Sequence, residues 1–111
     1  MLPRSKRLSV EQFNAVIEKG RVFNSTLFLM RILRVESSMR IASVVPQKIA
    51  KKATDRNKLR RKMYEVITPL LKNVVGEFHA IVLAKSTAIK AEFTDLTTDM
   101  RAIFVKAGIL K

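Results

Sequence analysis

Eight of the fifteen residues from Lys48 to Lys62 are cationic, and only Asp55 among them is acidic. A solvated helix normally mixes signs at i, i+4, where each opposite pair adds a few tenths of a kcal/mol. Here Arg56 meets Arg60 and Lys58 meets Lys62 at that spacing, so like charges repel and stability is lost. A one-signed block kept at that cost points to a polyanion contact. Leu59, Met63, Val66, Ile67 and Leu70 recur at i, i+4, i+7, i+8 and i+11, which makes one apolar stripe for packing. At about 100° per residue, Lys58, Arg61 and Lys62 point away from that stripe, while Asn57, Arg60 and Tyr64 line one flank. The first set faces outward, and the second rims a groove between the helix and a sheet. Arginine presents a planar fork matching phosphate, asparagine bonds a base edge or sugar, and lysine supplies a mobile point charge.

The remainder of the chain narrows the classes. Its 111 residues fit one domain, 1–111, and 48% of them are apolar, enough to fill a core. The formal charge is +13; that excess repels itself until something anionic neutralises it. There is no cysteine and one histidine, His79, which excludes disulfide scaffolds, thiolate metal sites and sites built from several histidines. The longest apolar run, Ala80 to Ala84, falls far short of the ~20 residues that span a bilayer. The N-terminus lacks the apolar stretch of a secretory signal. A cytoplasmic location is expected, with no membrane partner.

Ser9-Val10-Glu11-Gln12 reads as a capping box. Phe13, Val16 and Ile17 follow at helical spacing, and Gly20 supplies a stop, which predicts a helix over about 10–19. From Val22 to Val35 β-formers dominate without Gly or Pro, predicting one long strand or two end to end. Residues 36–39 read as a turn, with a returning strand over 40–45 that stops at Pro46. The basic helix follows; Asp55 is placed to cap it, or it begins a few residues earlier. Pro69 should end or kink it, unless Thr68 caps a fresh turn there. Phe78 to Ala84 has the uniform apolarity of a strand buried on both faces. Leu96, Met100, Ile103, Phe104 and Ala107 make a last helical stripe ending at Gly108. Helix, two or three antiparallel strands, helix, strand and helix predict an α+β two-layer sandwich.

Other chemistries find less support. The nine acids are scattered, with close spacing only at residues 92–99, where a helix start accounts for them; a metal-dependent nuclease needs clustered carboxylates. A helix-turn-helix DNA reader needs a helix just before the basic one, and here a strand precedes it, so DNA is not the expected partner. A structural RNA-binding protein of ribosomal type is the alternative. His79, in the most apolar strand, reads as a packed or edge histidine rather than a catalytic base.

Lys48-Ile49-x4-Thr54-x-Arg56-Asn57-Lys58-Leu59-x-Arg61 resembles the signature of the bacterial ribonuclease P protein subunit. Arg7-Leu8-x4-Phe13-x2-Val16-x3-Gly20 is similar to that family's opening helix, Phe28 falls at the expected distance after Gly20, and Ala107-Gly108-Ile109-Leu110 looks like its closing end. The resemblance implies a ribosomal protein S5 domain 2-like sandwich with a left-handed β-α-β crossover, against the usual right hand. It implies an accessory subunit of an endoribonuclease whose RNA cleaves precursor tRNA with Mg2+, releasing the 5′ leader. On this resemblance the protein has no catalytic residue and binds no metal or cofactor itself. Its partners are ribonuclease P RNA and precursor tRNA.

Carried over by residue, the resemblance assigns RNA binding to Lys48, Lys51, Lys52, Arg56, Asn57, Lys58, Arg60, Arg61 and Lys62. It assigns the leader cleft to Phe13, Ile17, Phe28 and Arg31. Lys58 replaces the motif's second arginine, keeping charge without a bidentate fork. Ile17 replaces a second cleft aromatic and Arg31 a tyrosine of the sheet, so leader binding here is expected to rest more on charge than on stacking. Pro46-Gln47-Lys48 stands for the usual Ser-Lys-Lys, with one lysine fewer, and Tyr64 stands where the family usually has a basic residue.

Overall fold

The computed structural model describes residues 6–111. Helix α1 (Val10–Lys19) begins at the expected capping box: the Gln12 amide donates to Ser9 Oγ at 3.2 Å and the Ser9 amide to Gln12 Oε1 at 2.8 Å. Gly20 ends it, but in extended rather than left-handed conformation. Glycine is needed there for space, because a Cβ would lie 2.5 Å from the Val16 carbonyl oxygen and 3.3 Å from the backbone of Ile32.

The β-rich stretch does not run end to end. It folds back as a hairpin of β1 (Arg21–Asn24) and β2 (Phe28–Arg34), pairing Asn24 with Leu29 and Arg21 with Ile32. The turn carries no Gly or Pro, and a distant residue stabilises it. Asp99 Oδ2 accepts from Ser25 Oγ at 2.6 Å and from the Leu27 amide at 2.9 Å, while the Phe28 amide donates to Ser25 Oγ at 3.2 Å.

Strand β3 (Arg40–Val44) does not return against β2, contrary to the antiparallel expectation. The sheet order is β1-β2-β4-β3, with β4 (Phe78–Ala84) antiparallel to β2 and parallel to β3. The physical reason lies in β4, whose residues are almost all buried; a strand paired on both edges and covered on both faces takes the most apolar sequence. Residues 35–39 therefore step past β4 instead of forming a hairpin turn. Helix α2 (Ala53–Leu70) makes the crossover from β3 to β4. It starts two residues before Asp55, with Lys52 at the N-cap. Pro69 sits in its last turn and the helix ends one residue later, while Thr68 Oγ1 bonds back to the Tyr64 carbonyl at 2.7 Å instead of capping a new turn. A 3-10 turn (Ser86–Ala88) leads to α3 (Phe93–Lys106), which closes at Gly108 with φ +80.

The register sorts the sheet into two faces, since directly paired residues share a side. Met30, Val82 and Ser43 form one row of the inner face. With Phe28, Ile32, Ile41, Phe78 and Ala80 they meet Leu59, Met63 and Ile67 of α2 and Leu96, Met100, Ile103 and Phe104 of α3, all buried. The adjacent row, Arg31, Ile81 and Ala42, belongs to the outer face. There α1 lies across β2 and β4, burying Val16 apart from the main core. The sheet thus has helices on both faces, with α1 alone covering part of the outer one.

Candidate nucleic-acid interface

The basic helix α2 packs by its predicted stripe: Leu59, Met63, Val66, Ile67 and Leu70 are all buried. This leaves the cationic residues on its free surface. Asn57, Arg60, Arg61 and Tyr64 border a concavity of about 290 Å³. Within it Arg60 Nη2 donates to Asn57 Oδ1 at 2.8 Å, so the amide orients the guanidinium. The wheel put Arg61 outward; it joins this flank instead. Lys58 and Lys62 border a different concavity of about 270 Å³ on the side of the 3-10 turn, shared with Asp55, Leu59 and Ala88. The helix therefore offers cations on two sides, and the arginines share one of them with Asn57.

Tyr64 links this flank to the sheet. Its hydroxyl accepts from the Ser43 amide at 3.1 Å, filling a donor that β3, as an outer strand, has no neighbour to receive. Ahead of α2, Lys48, Lys51 and Lys52 are exposed on a turn in which the Ile49 amide donates to the Pro46 carbonyl at 3.2 Å. Arg56 is only half-exposed and reaches back: its Nη1 donates to the carbonyls of Ala50 at 3.0 Å and Lys51 at 2.7 Å. This places Arg56 as the tie that holds the lysine-bearing turn against the helix.

Three of the four predicted cleft residues gather on the outer face. Phe13 and Ile17 lie on α1, the first half-buried and the second 41% exposed. Arg31 rises from β2 and donates through Nη1 to the Ile17 carbonyl at 3.3 Å. Phe28 does not belong with them. It is fully buried on the inner face, because it stands three positions before Arg31, an odd step, and side chains alternate along a strand. Its role is core packing.

Arg40 and Ala42 of β3 went unnoticed in the sequence. Arg40 Nη1 donates to the Arg7 carbonyl at 2.8 Å, fastening the segment before α1 to β3. Ala42, in the same row as Arg31 and Ile81, puts a small side chain on the outer face beside β3's free edge. The alternation Arg40-Ala42-Val44 against Ile41-Ser43 was the available signal. From Arg31 to Ala42 is two strand spacings, about 10 Å, and on β3 the Ser43 amide meets Tyr64 of the α2 flank.

His79 is buried in β4, and among the described residues its Nε2 finds no hydrogen-bond partner. Burial, and after it the Arg40 charge in the next strand, lowers its pKa below the ordinary 6.5. It is the packed histidine that the sequence indicated. Among the described residues no three His, Asp or Glu side chains come together as a possible metal-ligand set, and no helix is long and apolar enough to cross a membrane.

Comparison with known proteins agrees with this architecture. Solved structures of similar fold include the RNase P protein of Staphylococcus aureus, with a TM-score of 0.84 at 17% identity over 96% of this chain and 98% of that one. The RNase P protein of Thermotoga maritima gives 0.75 at 21% identity, over 85% and 90%. In sequence, the ribonuclease P protein component of Synechocystis sp. is 30% identical over 112 residues, spanning 98% of this chain and 90% of its own length. That of Pseudanabaena sp. is 30% identical over 113 residues, spanning 99% and 97%. The family model described as Ribonuclease P matches residues 2–108. With an arginine-rich helix in place and near full-length relatives on both sides, this chain belongs to the ribonuclease P protein family.

Proposed function

We propose that this protein binds ribonuclease P RNA and the 5′ leader of precursor tRNA, and so assists the Mg2+-dependent endonucleolytic step that frees the mature tRNA 5′ end. In this reading the bond chemistry belongs to the RNA, which holds the Mg2+. The protein supplies charge, shape and position, and works in the cytoplasm. Family membership supports the assignment. The observation that carries it is the concavity beside β3, where Arg60 and Arg61 stand with Asn57 and Tyr64 at the free edge of the sheet.

The physical task is to bring two polyanions together. Each phosphate neutralised by a cation releases condensed counterions, which drives association at low salt. Lys48, Lys51, Lys52, Lys58 and Lys62 would act as point charges, Arg60 and Arg61 as forks on phosphate, and Asn57 as a hydrogen-bonding partner to sugar or base. The leader would cross the outer face along Phe13, Ile17 and Arg31. One aromatic allows some stacking, while Arg31 adds charge where an aromatic could have stood. Leader binding here would accordingly depend on salt more than on base identity.

The test is reconstitution. Adding the protein to a bacterial ribonuclease P RNA at low Mg2+ should raise cleavage of precursor tRNA at the mature 5′ end. Cleavage that is the same with and without the protein would overturn the reading. So would cleavage by the protein alone.

A further inference from the structure

More than half of the 22 Lys and Arg residues lie outside the Lys48–Lys62 block, and several of them converge at the other end of the sheet. Lys19 from the end of α1, Arg21 and Phe23 from β1, and Arg34 from the end of β2 line a concavity of about 260 Å³, closed by Ala107 after α3. No acidic side chain lines it. We propose that this corner is a second RNA-backbone contact, separate from the α2 surface and the leader cleft. It rests on the ribonucleoprotein reading above.

Each arginine lies against identifiable neighbours. Arg21 lies over the Phe23 ring, 5.6 Å from its centroid, a cation–π arrangement that keeps the planar guanidinium ordered. Arg34 runs past two turns, close against Gly76 and at ordinary contact distance from Gly108. A Cβ at Gly76 would come 2.7 Å from its Nη1, and one at Gly108 would come 3.9 Å from its Nη2. Both glycines have positive φ, +90 and +80. Among the described residues neither Arg21, Arg34 nor Lys19 has a carboxylate partner.

Helix-end electrostatics explain only part of this cluster. Lys19 and Lys106 occupy the last turns of α1 and α3, where a cation complements the helix dipole. Arg21 and Arg34 lie on strands, whose dipoles nearly cancel; their charge has no such structural use. Planar guanidinium groups beside a half-buried aromatic suit phosphate with an adjoining base. The location also fits a separate contact. Strands β1 and β3 are the outermost of the four, so they stand about 14 Å apart at the usual strand spacing. The α2 surface lies at the β3 edge. One RNA segment held there leaves the β1 corner open for another.

The experiment uses the reconstituted complex of protein, ribonuclease P RNA and precursor tRNA. Lys19→Gln with Arg21→Gln should weaken protein binding roughly three- to tenfold at low salt and flatten the slope of log K against log[salt] by about 1.4–1.8 for two lost contacts. The charge-keeping pair Lys19→Arg with Arg21→Lys should retain both, which separates charge loss from misfolding. The chain has no cysteine, so Arg21→Cys gives a unique site for a photo-crosslinker. It should capture RNA nucleotides different from those reached from Arg61→Cys. Crosslinks only to protein, none at all, or an unchanged slope in the glutamine pair would overturn the proposal. If Arg60→Ala with Arg61→Ala loses binding while the corner variants do not, only this second contact falls. If neither set loses binding, the proposed function falls with it.

Discussion

The Arg56 guanidinium donates to the Lys51 carbonyl at 2.7 Å, and the same nitrogen reaches the Ala50 carbonyl at 3.0 Å. A residue assigned to RNA binding by resemblance is thus engaged largely with its own chain. Lys52 caps α2 without a side-chain hydrogen bond, and Arg56 compensates by pinning the preceding turn from inside the first helical turns. Arg56→Ala should therefore raise amide hydrogen exchange across residues 48–52 and lower RNA affinity through disorder of Lys48, Lys51 and Lys52. Arg60→Ala should lower affinity with exchange in that turn unchanged. The two variants behaving alike in exchange would contradict this division of labour.

Gly20 is fixed by space. A methyl there would sit 2.5 Å from the Val16 carbonyl oxygen, and backbone atoms on both sides cannot yield. Gly20→Ala should cost about 1–3 kcal/mol, the range for overpacking a tight site, and move α1 relative to β2. Denaturant unfolding measures the first effect. Loss of leader-dependent binding, with binding of leaderless tRNA kept, would report the second.

Asp99 ties α3 to a hairpin more than 70 residues earlier in the chain. Asp99→Ala strands the Leu27 amide and leaves the Ser25 hydroxyl only its longer bond to the Phe28 carbonyl at 3.3 Å, and should destabilise by about 1–3 kcal/mol, the cost of an unsatisfied part-buried donor. Asp99→Asn keeps an acceptor and should lose less. Equal losses in a thermal melt would show that the negative charge, rather than acceptor geometry, stabilises the turn.

His79 makes stability depend on pH in a defined window. Its folded pKa is lowered, first by burial and then by Arg40, so the unfolded chain binds the proton more readily. Stability is then full above about pH 6.5, the unfolded value, and declines as pH falls through the lower folded one. It is the only histidine, so His79→Phe should flatten the stability profile between about pH 5 and 7, before carboxylates titrate. A wild-type profile already flat in that window would contradict the assignment.

What was legible in the sequence was local. The capping box at Ser9, the stripes of α2 and α3, the stop at Pro46 and the apolarity of β4 depend on residues a few positions apart, and each appears in the structure. Strand neighbours are a different kind of information. Alternation tells which face a side chain takes, but not which strand lies alongside, so β3 was expected beside β2 although β4 lies between them. The hairpin at residues 25–27 escaped notice because its stabilising partner, Asp99, lies in the last helix. Phe28 carries a signal that the sequence itself contains. On one strand Phe28 and Arg31 cannot share a face, so the same alternation that puts Arg31 beside Ile17 sends Phe28 into the core. In sequence Tyr64 reads as a lost basic residue; its bond with the Ser43 amide depends on β3 being an edge strand, which the sequence does not state.

In the function proposed above, the arginines of α2 act by neutralising phosphate. The most direct measurement is the salt dependence of binding to ribonuclease P RNA for the wild type and for Arg60→Ala with Arg61→Ala. The slope of log K against log[salt] should become shallower by about 1.4–1.8, the equivalent of two lost phosphate contacts. Affinity should converge with wild type at high salt. A slope unchanged by the double substitution, with the fold intact, would contradict it.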